Sequence, residues 1–381
     1  MDKLMATRVL ILTSDAGFGH RRAAQAVEAA LKEEYGDDVE VRIMNPLDPK
    51  LPDLVKVIET AYDDVVLDDP TLYQLAYSAT DAPVVAQLIQ SVTTTVLNDT
   101  LTDYVAGFQP DAILSTYPAY TQAIIRARTN AALRVPVDVI VTDLIGVHSL
   151  WFHQQADQTF VATDHVYRQA LEHGLNETRI QLTGLPVDPA IARLEGCDPR
   201  SLRQELGWDA EMVTALIVGS ARTRQTASIA RLLDRSGLPL QVVAVSGGDP
   251  ETDAQLAKVQ WKGKVHTYGL VKNMAEMMRA ADFIICKAGG LIVSEALASG
   301  LPLILYEALP GQEVGNVRYV VECGAGVWSP GSIGALTTVY AWLVGDRADF
   351  EKHREAAKRV GRPHAAYDVA DYVMQQVELT G

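Results

Sequence analysis

Residues 283–316 constrain this chain more than any other stretch. Phe283 to Cys286 is a short run that is apolar on both faces, the pattern of a strand buried in a parallel sheet. Gly289 and Gly290 follow, and an apolar-rich helix is predicted from about Leu291. Two glycines between a strand and a helix let backbone N–H groups approach an anion, and the helix start adds about half a positive charge. The turn is therefore a candidate diphosphate seat, with Lys287 beside it as a further cation. An ordinary strand–turn–helix unit shares the Gly-Gly pattern, so the longer run carries the reading. Glu295 falls early enough in the helix to reach a sugar hydroxyl. After a second strand, Leu303 to Tyr306, come Gln312, Glu313 and Asn316, which bring polar side chains to the same sheet edge. In an open α/β sheet that edge is where ligands bind.

The rest of the chain repeats the alternation of short apolar strands with amphipathic helices. Its 381 residues are enough for two domains, and 48% hydrophobic residues are enough for two cores. The net charge of −15 argues against nucleic acid as a partner and weakens any claim of tight electrostatic binding to anionic lipid. Three scattered cysteines, Cys197, Cys286 and Cys323, suit a reducing cytosol and argue against a structural zinc site. The first eight residues run directly into a strand and are too short for a signal peptide, and no apolar run reaches the length of a membrane span.

Val9 to Thr13 is predicted as the first strand, followed by the loop Ser14 to His20, which holds Asp15, Gly17 and Gly19. A dinucleotide fingerprint would need a third glycine in register, which is absent. His20 falls at a helix start, where the dipole lowers an imidazole pKa and leaves a neutral ring able to accept a proton. A surface histidine capping the helix fits the same position. Residues 51–105 read as helical, with apolar stripes at Leu54, Val55, Ile58, Ala61 and Tyr62, at Leu72, Leu75 and Ala76, and at Val84, Val85, Leu88, Ile89 and Val92. These stripes are expected to face the core. The strand Val137 to Thr142 ends at Asp143, which can orient an acceptor or a histidine, or cap a helix. His148 and His153 do not make a metal pair without a third ligand. The hinge between domains is expected between about 186 and 212, where Pro186 and Pro189 disfavour helix. Strands are predicted at 213–219, 240–245 and 265–268, and helices at 332–345, 349–360 and 366–379.

Lys287-Ala288-Gly289-Gly290, Ser294-Glu295-Ala296, Gly300-Leu301-Pro302 and the run Pro310 to Asn316 resemble, in order and spacing, the nucleotide-sugar half of the monogalactosyldiacylglycerol synthase and processive diacylglycerol glucosyltransferase group. That group is related to the lipid II-forming N-acetylglucosaminyltransferase. The resemblance is strong at 282–316, clear at 9–27 and partial at 139–161, where Ser149-Leu150 replace the family's Pro-Thr.

It implies a GT-B fold: two Rossmann-like, doubly wound α/β domains facing across a cleft. The acceptor-binding domain would take residues 1–190 and the UDP-sugar domain 191–355, with a tail at 356–381 packing back on the first. It implies an inverting hexosyltransferase that moves a sugar from a UDP-sugar to a diacylglycerol-type hydroxyl. By this reading His20 is the general base, with Asp15 and Asp143 as rivals, and Gly19 faces the donor. Ser220 and Arg222 stand where the family has a glycine-rich loop and would meet phosphate. Leu270 and Val271 inherit the uracil edge. Gly289, Gly290, Leu291 and Lys287 hold the diphosphate, Glu295 the ribose, and Gln312, Glu313 and Asn316 the sugar. No metal cofactor is required, since a helix dipole and backbone donors serve the leaving group.

In the family, residues 51–105 touch the membrane. Here Asp63, Asp64, Asp68 and Asp69 speak against electrostatic docking, so at most a weak peripheral contact is expected, from the cytoplasmic side. A soluble or polyprenyl acceptor, a UDP-sugar epimerase of the same architecture and a non-catalytic UDP-sugar sensor remain open. So does the identity of the donor sugar.

Overall fold

The computed structural model describes residues 6–15, 18–47, 81, 83–220, 225–309, 312–345 and 347–380. Among them, short apolar runs form two parallel sheets of six strands each. β1 (Thr7–Leu12), α1 (Phe18–Tyr35), β2 (Val39–Met44), α2 (Pro83–Phe108), β3 (Ala112–Ser115), α3 (Thr121–Asn130), β4 (Val137–Ile140), β5 (Gln158–Val161), α4 (Asp164–Glu172) and β6 (Ile180–Leu182) build the first. Its strand order is β2-β1-β3-β4-β5-β6. The second follows α5 (Ala190–Arg193) and α6 (Pro199–Glu205). It runs β7 (Val213–Val218), α7 (Thr226–Asp234), β8 (Leu240–Val245), α8 (Pro250–Ala257), β9 (Val265–Tyr268), α9 (Met274–Ala280), β10 (Phe283–Lys287), α10 (Gly290–Ala298), β11 (Leu303–Glu307), α11 (Gln312–Glu322), β12 (Gly326–Trp328), α12 (Gly331–Val344) and α13 (Ala348–Val360). Its order is β12-β11-β10-β7-β8-β9.

Both sheets are doubly wound, in keeping with strands that are apolar on both faces. The order reverses between β1 and β3 in one sheet and between β7 and β10 in the other. Crevices at such reversals, outside the carboxyl ends of the strands, are where this architecture binds ligands.

The chain divides into two compact units. The first holds residues 1–189, 310–312 and 364–381, and the second 190–309 and 313–363. In the first, Ala366, Val369, Ala370 and Val373 of the last helix, α14 (Ala365–Thr380), lie in one core with Val9, Ile11, Val27 and Leu31. Tyr35 of α1 donates to Asp371 at 2.8 Å and Tyr367 to Glu33 at 2.6 Å. In the second, α7 and α12 cover one face of the sheet through Ile229, Leu233, Val339 and Trp342. Residues 356–360, grouped with the tail in the sequence reading, continue α13 within the second unit, where Ala356 and Ala357 are buried.

Two expectations change. The stripe Val85, Leu88 and Val92 faces outward: Leu88 is 61% and Val92 54% exposed. The buried face of α2 is instead Ala86, Thr94, Leu97, Leu101 and Val105. The helical period is right and the face is wrong: the first half of α2 carries its apolar stripe on one side and its buried residues on another. The edge strand β12 was not foreseen. It is three residues long, begins with a glycine and leaves Trp328 exposed. The stripes at 54–62 and 72–76, and the four aspartates among them, lie outside the described residues.

Candidate active site

In the first unit the site forms at the reversal between β1 and β3. β1 ends at Leu12 and is followed by Thr13, Ser14 and Asp15, and α1 starts at Phe18, so His20 lies in the first turn of α1. Its Nδ1 is 2.8 Å from Thr142 Oγ1, one residue before Asp143. Tyr117 presents its ring edge-on to the imidazole at 5.2 Å between centroids, and Trp151 is tilted against it at 5.9 Å. Trp151 Nε1 in turn donates to Asp143 Oδ2 at 3.1 Å. Burial drives the His20 pKa below the ordinary imidazole value, while the Asp143 charge and a backbone group of Thr116 oppose it. Burial thus favours the neutral ring, and Thr142 orients it.

Asp15 is differently occupied. Arg21 Nη2 donates to it at 2.7 Å and Asn45 at 3.1 Å, and the Arg21 bond chiefly lowers its pKa. A carboxylate so held is a poor base. Gly19 has open space where a side chain would stand. His148 is buried, with Nδ1 3.3 Å from Asp81 Oδ1.

In the second unit the site forms at the reversal between β7 and β10. α10 starts at Gly290, with Gly289 as its cap residue and no side-chain cap. Its first N–H groups are thus left for another acceptor. Lys287 Nζ donates to Glu313 Oε1, and Leu309 N to Glu313 Oε2 at 2.9 Å. Both side chains flank Gly289: a Cβ there would lie 3.6 Å from Lys287 Cε and 3.6 Å from Glu313 Oε1. Asn316 is buried and its Nδ2 donates to Ala288 O at 2.9 Å, so in this structure it braces the Gly-Gly turn. Leu291 and Glu295 are half-buried on the opening turns of α10. Ser220 follows Gly219, whose Cα is packed against Thr226 and has no room for a side chain. Leu270 is 76% exposed and Val271 is half-buried. Arg222 and the Gln312 side chain lie outside the description. Among the described residues, no group of three His, Cys, Asp or Glu is placed to hold a metal ion.

The sequence reading grouped Lys287, Gly289, Gly290, Glu313 and Asn316 at one strand edge, and named His20 and Asp143 as rival bases without pairing them. It missed Thr142, whose adjacency to Asp143 was the available signal. It also missed Glu307 at the end of β11. That carboxyl is half-buried, its Oε2 has no hydrogen-bond partner, and burial raises its pKa against the pull of Lys287.

Two doubly wound parallel sheets with polar groups at the two reversals define the GT-B class. The same fold occurs in Staphylococcus aureus MnaA, solved with UDP, at 13% identity and a TM-score of 0.62 over 98% of this chain and 97% of that one. It occurs again in Acinetobacter baumannii MurG, at 14% identity and 0.57 over 97% and 99%. Residues 20–187 match the monogalactosyldiacylglycerol synthase family, and 214–326 the glycosyltransferase family 28 C-terminal domain. A probable chloroplastic monogalactosyldiacylglycerol synthase of Glycine max is 32% identical over 95% of this chain and 70% of its own. The chloroplastic enzyme of Spinacia oleracea is 30% identical over 97% and 73%. The chain belongs to the monogalactosyldiacylglycerol synthase family and is a glycosyltransferase of glycolipid biosynthesis.

Proposed function

We propose that the chain transfers a hexosyl group, galactosyl by the names of its relatives, from a UDP-sugar to the free hydroxyl of diacylglycerol, with inversion. The observation that carries this reading is the imidazole of His20 in the first turn of α1, held at 2.8 Å by Thr142 in the unit matched by the synthase family. For His20 to act as the base, Nδ1–H donates to Thr142 Oγ1 and Nε2 keeps its lone pair. Nε2 takes the proton of the acceptor hydroxyl as that oxygen bonds to the anomeric carbon. The bond from that carbon to the diphosphate oxygen breaks, and its electron pair leaves with UDP. The start of α10 and Lys287 stabilise the charge on the leaving group. Glu313 and Gln312 take sugar hydroxyls, Glu295 the ribose, and Leu270 and Val271 the uracil edge.

By this reading a helix dipole, backbone donors and Lys287 suffice, so turnover proceeds without a divalent ion. The outward apolar stripe of α2 supports a weak peripheral contact with a lipid surface, which we place on the cytoplasmic face. Among the described residues, no helix is long and apolar enough to cross a membrane.

The test incubates purified protein with UDP-galactose, UDP-glucose and UDP-N-acetylglucosamine, with and without diacylglycerol vesicles, in EDTA. UDP release that needs diacylglycerol and survives EDTA is expected. Release or epimerisation that ignores diacylglycerol overturns the lipid acceptor, and loss in EDTA overturns metal independence.

A further inference from the structure

β11 does not run in simple register with β10. The pairing steps between Cys286 and Lys287: Cys286 faces Leu305, and Lys287 faces Glu307, with Tyr306 passed over. Successive strand residues point to opposite faces, so a one-residue step exchanges the side chain offered at that place. Here it sets a carboxyl opposite Lys287, instead of the buried ring of Tyr306. Glu307 is also fastened to the Gly-Gly turn. Its carbonyl accepts from Ala288 N at 2.8 Å, while Asn316 Nδ2 holds the carbonyl of the same Ala288. Glu307 thus stands at the entry to the uncapped start of α10.

Lys287 there serves two carboxyls: Glu313, its ion-pair partner, and Glu307. Among the described residues, β12 and α12 bring no charged side chain, α10 brings Glu295 alone, and Arg318 and Glu322 of α11 pair with each other. Cys286 is buried in β10, and burial keeps its thiol protonated. With both carboxyls ionised, the cluster of Lys287, Glu307 and Glu313 carries a surplus negative charge where a diphosphate must approach. Glu307 is the member less able to keep its charge. Its Oε2 is buried without a hydrogen-bond partner, whereas Glu313 accepts from Lys287 on one oxygen and from Leu309 N on the other. A buried carboxyl oxygen without a donor is costly when ionised and tolerable when the group is protonated. Burial raises the Glu307 pKa first of all, Lys287 pulls it back, and the Glu313 charge raises it further. An arriving diphosphate adds like charge and pushes the same way.

We propose that Glu307 is a positioning residue of the donor seat, which takes up a proton from solvent as the diphosphate of a UDP-sugar settles at the start of α10 and so leaves Lys287 paired with Glu313 alone. The inference rests on the donor-seat reading and deepens it, since the seat then compensates part of the incoming charge with a proton of its own. Only an O–H bond forms, and no co-reactant is needed. The loaded seat binds more protons than the empty one, so affinity falls as pH rises. The fall begins at the raised Glu307 pKa of the empty seat and ends at the still higher one of the loaded seat.

UDP-galactose and UDP-glucose serve as probes, because a diphosphate esterified at both ends does not titrate near neutrality. Each is titrated by calorimetry, without acceptor, into the full chain and into Glu307→Gln, across the neutral range and in buffers of different ionisation enthalpy. The natural chain is expected to take up as much as about one proton per donor bound, with Kd rising by up to about tenfold per pH unit in the window of uptake. Glu307→Gln, a permanent mimic of the neutral acid, should take up none and keep the low-pH affinity throughout. A Glu307 that serves only the fold would give a uniformly weaker variant with an unchanged pH slope, which counts against the proposal. Difference infrared spectra of the natural chain on adding the probe should show the carbonyl stretch of a protonated carboxyl. If the variant does not fold, uptake together with that band supports the inference, and the absence of either overturns it. Donor binding without proton uptake, or uptake that survives in Glu307→Gln, overturns this inference and leaves the donor seat standing. No binding of either probe at any pH overturns both.

Discussion

The two candidate sites solve opposite problems. The first unit buries an imidazole and knits it to Thr142, Asp143 and Trp151, so its chemistry is the placement of a proton. The second leaves the start of α10 uncapped and flanks it with one ion pair, so its chemistry is the capture of negative charge. Side chains carry the first site, and backbone carries most of the second. Substitution should therefore strike the first site through kcat and the second through affinity.

The sharpest break is His20→Ala. It should lower kcat by about 10²- to 10⁴-fold and leave UDP affinity unchanged by calorimetry. Equal loss of UDP binding would erase the division of labour. Next is Lys287→Gln. Removing a charge-assisted donor should weaken UDP about 10- to 100-fold, with kcat at saturating donor changed far less. Because Glu313 is buried and loses its cationic partner, keeping only the Leu309 N–H, a melting curve must accompany the titration.

Asp143→Asn sharpens the comparison with a smaller effect. The Asp143 charge raises the His20 pKa against burial, so the variant's imidazole should titrate lower still. Base catalysis needs the neutral ring, so the acid limb of kcat against pH should move to lower pH while kcat at pH 8 drops only a few-fold. A limb that stays in place would remove Asp143 from the titration.

The smallest effect lies away from both sites. Glu34 is pushed up to about 7, by burial first and then by Asp371, Glu33 and Asp368. A raised carboxyl pKa favours the folded state at low pH. That contribution fades as pH rises from the ordinary glutamate range through about 7. Glu34→Gln should flatten this decline, by roughly 1 °C in Tm at pH 8 given the exposed position.

The sequence makes the second site easier to read than the first. Gly289, Gly290, Lys287 and Glu313 fall within a strand–turn–helix–strand stretch, and local spacing already brings them together. His20 and Thr142 are separated by 122 positions, and only the winding of β1 beside β3 and β4 makes them neighbours. The β strands were legible because a parallel sheet covered on both faces demands unbroken apolar runs. β12 was not, since three residues at an edge carry no such demand. α2 was misread for a related reason: periodicity reports that a helix has a preferred face but not which neighbour covers it.

The last helix has a consequence for biosynthesis. Val369 and Val373 of α14 complete the core begun by Val9 and Ile11, with the whole second unit inserted between them in the chain. A ribosome making this protein releases the inserted unit in finished form while the unit begun earlier still lacks a wall. The order of maturation is therefore inside-out, and a cut or bulky fusion just ahead of residue 365 would strike the opening strands hardest.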